Sequence, residues 1–130
     1  MIALAYADAS ALVKLVVDEP ESAALLRWFL EAEHVATSRI GVIETIRASE
    51  RRSHDRGHRD RVVEDLVVIE VDQAIARMAS SMQPPELRTL DTIHLATALR
   101  LLPDLAAFVT YDDRQAAAAR RIGLPVIRPA

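Results

Sequence analysis

Residues 2–15 read IALAYADASALVKL. An apolar run gives way to Asp8, a hydroxyl follows at Ser10, and an apolar pattern of helical spacing then begins. A short continuous apolar run is what a strand covered on both faces of a parallel sheet requires. Met1–Ala7 is therefore read as a buried strand and Ala9–Val17 as the helix that follows it. A strand passing straight into a helix is the first half of a β-α-β unit, and that decides the fold class. Asp8 then stands where the chain leaves the sheet, on the edge where α/β proteins gather ligands.

The rest of the chain keeps the same alternation. The Asp18-Glu19-Pro20 turn stops the first helix, and Pro20 can open the next, Glu21–Ala32, with Leu25, Leu26, Phe29 and Leu30 on one face. Val35–Thr37 reads as a second short strand, and Ser38 as the N-cap of a helix running to about Ser53. Gly57 breaks that helix, Arg59–Leu66 resumes it, and the β-branched Val67–Val71 follows. Asp72 caps a helix to about Met82 that Pro84-Pro85 ends. Thr89 opens another through Leu101, closed by Pro103. Ala107–Tyr111 is strand-like, Asp112 or Asp113 caps a helix to Ile122, Gly123 ends it, and Pro125–Arg128 adds a last short strand. The prediction is one three-layer α/β/α domain over residues 1–130 with a mainly parallel sheet, free of repeats and linkers.

Composition narrows the function classes. With 130 residues, 51% of them hydrophobic, the chain can fill one core. Aromatics make up only 4%, so Leu, Val, Ile and Ala must do the packing. The absence of cysteine excludes disulfides and thiolate metal sites and suits a reducing compartment. The apolar N-terminus lacks the basic start of a signal peptide, and no stretch reaches the roughly 20 apolar residues of a membrane span. The expectation is a soluble cytoplasmic protein. The net charge of −3 does not favour nucleic acid, but its distribution is uneven. Six arginines lie between Arg47 and Arg61, opposed only by Glu50, Asp55 and Asp60. That stretch is either a solvated helix face and turn or, through Arg51, Arg52 and Arg56, a contact for RNA phosphates.

Four carboxylates carry the chemical argument. Asp112 repeats the setting of Asp8: FVTYDD is a hydrophobic strand ending in acid, after which a helix starts. Either residue by itself could be an ordinary helix N-cap. Glu44 sits on a helix made apolar by Ile40, Val42, Ile43 and Ile46, beside the core rather than out in water. Arg47 and Arg51 lie on its stripe, so an intrahelical ion pair of roughly 0.2–0.5 kcal/mol is the plain structural reading. Asp91 lies in the first turn of LRTLDTIHLATALRLL, where the helix dipole favours an anion. Four acids brought together would repel one another and would need a cation. Carboxylates without Cys or suitably spaced His select hard ions such as Mg²⁺ or Mn²⁺, which serve phosphodiester cleavage. His94, three residues after Asp91, is read as a packed, hydrogen-bonded histidine, and Lys14 as a solvated lysine. Trp28 and Phe29 are read as core residues.

At this point the segments ADASALVKL, Glu44 with Arg47 after it, LRTLDTIHLATAL and VTYDDRQAAAARRIGLPVI resemble a PIN-domain protein. More narrowly they resemble the VapC-type ribonuclease toxins of bacterial toxin–antitoxin pairs, over nearly the whole chain and in order. The resemblance implies an α/β/α nuclease whose acidic pocket holds Mg²⁺ or Mn²⁺. Its four acids fall on Asp8, Glu44, Asp91 and Asp112, with Asp8, Asp91 and Asp112 as metal ligands. Ser10 matches the hydroxyl after the first acid and Thr110 the small polar residue before the fourth. Asp113 competes with Asp112 for the fourth position or assists it through water. The family also implies RNA as substrate, a homodimer and a cognate antitoxin laid into an apolar groove near the first helices. Leu25, Trp28 and Phe29, crowded on the second helix, are the residues expected to meet that partner.

Other function classes compete. A phosphotransferase using Asp8 as nucleophile would need Asp-x-Asp, and Ser10 occupies the second place. A non-catalytic RNA-binding module would bind no divalent ion. A housekeeping PIN nuclease for RNA processing would have no antitoxin and would be harmless on overexpression.

Overall fold

The structure, a computed structural model, describes residues 2–130. In chain order the elements are β1 (Ile2–Ala7), α1 (Ala9–Val16), α2 (Ser22–Leu30), β2 (Ala32–Ser38), α3 (Arg39–Glu50), α4 (Arg56–Glu64) and β3 (Val67–Ile69). There follow α5 (Gln73–Ser80), α6 (Thr89–Leu99), β4 (Ala107–Val109), α7 (Asp113–Arg121) and β5 (Val126–Ile127). The strands form one five-stranded sheet in the order β3-β2-β1-β4-β5, and every pairing in it is parallel. The expected α/β/α class is thus borne out, with a sheet that is wholly parallel. Met1, assigned to the first strand from the sequence, lies outside the described residues.

The period of two along a strand sends successive side chains to opposite faces, and β1 shows both being used. Ala5 and Ala7 pack with Leu12, Leu25, Phe29 and Val109 under α1 and α2. Tyr6 packs with Leu95, Ala98, Phe108, Ala118 and Ala119 under α6 and α7. Alanines on strands and helices allow the layers to approach closely, so the core closes with few aromatics. Among the described residues, no helix is long and apolar enough to cross a membrane.

Several boundaries differ from the sequence reading by a few residues, and two of the differences have a clear cause. The second strand starts at Ala32 rather than Val35, because Ile2 N donates to Glu31 O at 2.9 Å and Ile2 registers with Ala32. Its outer half carries the exposed Glu33 and His34, which hide the strand in the sequence. Gly57 does not interrupt a helix; it lies in the first turn of α4, whose N-cap Asp55 accepts from His58 N at 3.0 Å. First-turn amides have no intrahelical partner in any case, so glycine is tolerated there. Helix α2 also corrects the expected partner surface. Leu25 is wholly buried and Phe29 nearly so, and Trp28 is half-buried against the same cluster, while Leu26 and Leu30 are 52% and 77% exposed. Residues four apart share a stripe, and the 25/29 stripe faces the core whereas the 26/30 stripe does not.

Gly41 in α3 has a steric reason. A Cβ there would collide with Thr37 Oγ1 and stand 3.0 Å from His94 Cε1. Thr37 cannot simply turn away, since its hydroxyl donates to Ala7 O at 2.8 Å. Gly41→Ala should therefore destabilise by about 1–3 kcal/mol through overpacking, although alanine is the better helix former by about 1 kcal/mol. Thermal melts check this; a raised melting temperature would show that the Thr37–His94 contact is loose.

Candidate active site

Sheet order reverses between β1 and β4: the chain proceeds from β1 towards β2 and β3 on one side, then returns to β4 and β5 on the other. The crevice beyond the carboxyl ends of β1 and β4 is the topological switch point, where open α/β sheets bind ligands. Asp8 follows β1 directly, and Thr110 and Asp112 follow β4. Asp8 is 4% exposed. One of its oxygens accepts from Ser10 Oγ at 2.6 Å and from the Ala11 amide at 3.2 Å, and the other accepts from Thr110 Oγ1 at 2.5 Å. The Ala11 bond makes Asp8 the N-cap of α1, so capping and site roles coincide in one residue. Burial raises its carboxyl above the usual range, and neighbouring His94 with the Ser10, Thr110 and Ala11 donors partly offsets that.

Asp91 lies in the first turn of α6, half-buried. Its carboxyl is also raised, first by desolvation and next by the negative charges of Asp112 and Asp8. These three acids therefore share one field. Asp112 caps α7, accepting from Arg114 N at 2.9 Å and Gln115 N at 3.1 Å, while its own amide donates to Thr110 Oγ1. Asp113 is directed elsewhere: it pairs with Arg128 at 2.7 Å and its side chain is 91% exposed. Among the described residues, no three His, Asp or Glu side chains stand within reach of a single ion. Asp8 and Asp112 are each held by their own hydrogen bonds, and the acids do not close on one point.

Glu44 corrects the ion-pair reading. Its carboxylate bonds to His94 Nε2 at 2.7 Å, and among the described residues neither Arg47 nor Arg51 pairs with it. A cavity of about 670 Å³ opens beside Ser10 and Glu44, walled also by Ile43, Arg47, Arg51 and Leu90. Of the arginines assigned to RNA, Arg52 pairs with Glu19 at 2.9 Å and Arg56 with Glu50 at 3.2 Å. Lys14 is not solvated: its side chain is 12% exposed, pairs with Glu21 at 2.7 Å and lies 4.8 Å above the Tyr111 ring. The sequence reading missed Gln115, buried beside Asp91 and Asp112. Its Nε2 donates to Asp91 O at 3.4 Å, and its Oε1 has no partner. The only cue was its position three residues into the helix that Asp112 caps.

Residues 5–121 match the PIN domain family. Over 129 residues the chain is 42% identical to Ribonuclease VapC46 of Mycobacterium tuberculosis, covering 98% of this chain and 99% of that one. The chain belongs to the PIN-domain family, among its VapC ribonuclease toxins. A second relative, Ribonuclease VapC47 of Mycobacterium tuberculosis, is 34% identical over 131 residues, covering 95% and 96% of the two chains. Two solved structures share the PIN fold at lower identity. One is Mycobacterium tuberculosis VapC20, a sarcin–ricin loop cleaving toxin (TM-score 0.74, 18% identity, 98% of this chain and 100% of that one). The other is a toxin–antitoxin complex from Klebsiella pneumoniae (TM-score 0.72, 23% identity, 97% and 98%).

The shared field of this PIN domain's acids has a measurable consequence. Folding raises Asp91 above its ordinary 3.8, so the folded chain holds that proton more tightly than the unfolded chain. Metal-free stability therefore falls as pH rises from about that value through the folded pKa. Asp91→Asn should remove this loss and raise the metal-free melting temperature at neutral pH by about 2 °C, after allowing for solvent screening of a half-exposed group. An unchanged or lower melting temperature would show that Asp91 does not feel the other acids.

Proposed function

We propose that this VapC-type chain is a Mg²⁺- or Mn²⁺-dependent endoribonuclease. In this reading Asp8, Asp91 and Asp112 hold the metal, and Glu44 is the fourth catalytic acid. The observation that carries it is the buried Asp8 at the switch point, held through both oxygens by Ser10 and Thr110, with Asp112 capping α7 just beyond β4 and Asp91 in the first turn of α6. Hard carboxylate oxygens suit these ions. Mg²⁺ keeps several waters and uses one or two protein carboxylates plus substrate oxygens, so acids spread around a crevice fit it without three direct ligands. Such an ion supplies charge stabilisation to a phosphodiester under attack. Ser10 and Thr110 orient Asp8 through both its oxygens. Asp113, committed to Arg128, lies outside the ligand set.

RNA would enter through the cavity beside Glu44, where Arg47 and Arg51 offer guanidinium groups for backbone phosphates. Arg52 and Arg56 would have to leave Glu19 and Glu50 to join them, which makes Arg51 the strongest of the three assigned positions. A second groove of about 760 Å³ runs between α2, β2 and α4, lined by Leu26, Phe29, Leu30, Val35, Val62 and Leu66. Its apolar floor suits an amphipathic segment of an antitoxin, and exposed Ile43 and Leu90 suit contact between two copies in a homodimer.

Asp8→Asn and Asp91→Asn should each lower RNA cleavage by about 100-fold or more, and EDTA should abolish wild-type cleavage. Cleavage that survives EDTA would overturn the metal. Neutralising Arg51, Arg52 and Arg56 together should weaken RNA binding and reduce the salt slope by about one for each phosphate that is no longer neutralised. An unchanged slope would leave the stretch a solvated face. Expression from its own operon should yield a complex with a small partner, lost on Leu26→Asp or Leu30→Asp; a free, active, harmless monomer would favour the housekeeping reading.

A further inference from the structure

His94 is 2% exposed and both its ring nitrogens are engaged, Nε2 with Glu44 Oε1 at 2.7 Å and Nδ1 with the Tyr6 hydroxyl at 2.6 Å. Tyr6 is wholly buried, stacked on Phe108 at 5.3 Å, and its oxygen also accepts from Ser38 N at 3.2 Å. A carboxylate only accepts hydrogen bonds. Nε2 must therefore carry a proton, and a ring carrying that proton alone leaves Nδ1 to accept from the Tyr6 O–H. The directions run one way, from the Tyr6 hydroxyl to His94 and from His94 to Glu44. We infer that His94 is a positioning residue: held at Nδ1 by the Tyr6 hydroxyl and donating from Nε2, it aims the Glu44 carboxylate at the acid crevice. This rests on the reading of Glu44 as a catalytic acid.

Two further observations support the assignment. Glu44 has flexible torsions and two arginines on its own helical stripe, Arg47 and Arg51, either of which could draw it away from the crevice. The His94 N–H instead holds it from a ring fixed on a different helix. The chain also keeps a glycine where the ring passes α3: Gly41 has no Cβ to press on His94 Cε1 or Thr37 Oγ1. Glycine is a poor helix former, and here its lack of a side chain makes room for the imidazole.

The test uses the full-length chain. Two-bond ¹H–¹⁵N correlation spectra should show, among the four histidines, one ring with a protonated Nε2 and an unprotonated Nδ1, removed by His94→Asn. A protonated Nδ1, with Nε2 either bare or protonated, would overturn the assignment. His94→Asn reaches the Tyr6 side but not Glu44, whereas His94→Gln can place an amide N–H near the position of Nε2. The Asn variant should lose about 10–100-fold in kcat with KM little changed, the range seen for groups that orient catalytic ligands, and Gln should restore most of it. Equal losses in both variants would make His94 a packing residue only. If neither substitution folds, Tyr6→Phe decides: it keeps the ring stack, removes the hydroxyl that holds Nδ1 and should lower kcat, and an unchanged kcat would overturn the proposal. Glu44→Gln separates this proposal from the reading beneath it. Full activity there would remove Glu44 from the site, and the positioning role with it; lost activity there beside an unaffected His94→Asn would sink the positioning role alone.

Discussion

A carboxylate held out of water at the end of the central strand is the constraint on which the rest of this molecule depends. Burying Asp8 is costly unless its oxygens are satisfied, and the fold satisfies them with three donors: Ala11 and Ser10 on its own helix, and Thr110 just after β4. The same bonds cross the switch point and tie the two halves of the sheet together at its active edge. Ser10 also accepts from Tyr111 N at 2.8 Å, extending the tie along the β4–α7 connection. Stability would be served as well by a neutral side chain there. A carboxyl kept there instead, with the Asp91 carboxyl also raised, is what the proposed site rests on.

Charge is handled locally. Much of the basic stretch that stands out in the sequence is spent internally: Arg52 on Glu19, Arg56 on Glu50, and Arg59 on both Glu50 and Asp60. Exposed pairs of this kind add little stability, but they decide which guanidinium groups remain available to a polyanion. Arg47 and Arg51, turned towards the cavity beside Glu44, have no ion-pair partner among the described residues. A chain of net charge −3 can thus offer RNA a small positive rim around a negative crevice.

Helix α1 divides the two cavities. Ser10, Val13 and Lys14 line the one beside Glu44, while Leu15, Val16 and Val17 line the groove under α2 and α4, and Lys14 borders both. The helix begins at the buried acid and ends against the apolar groove, so the proposed partner site and the proposed substrate site share a wall one helix thick.

The sequence by itself determined the layer architecture and singled out the acids proposed for the site. Buried parallel strands must be continuous apolar runs, and acids at strand ends mark the ligand-binding edge, so Asp8 and Asp112 were legible from local pattern. What only the tertiary structure decided were the pairings. That Glu44 turns to His94 rather than to Arg47, that Asp113 belongs to Arg128, and that Leu25 faces inward while Leu26 does not all depend on elements distant in the chain. His94 and Tyr6 are 88 residues apart. Periodicity reports which face of an element is apolar, but a hydrogen-bond partner is chosen by the packing of elements against one another, and helical spacing carries no record of that choice.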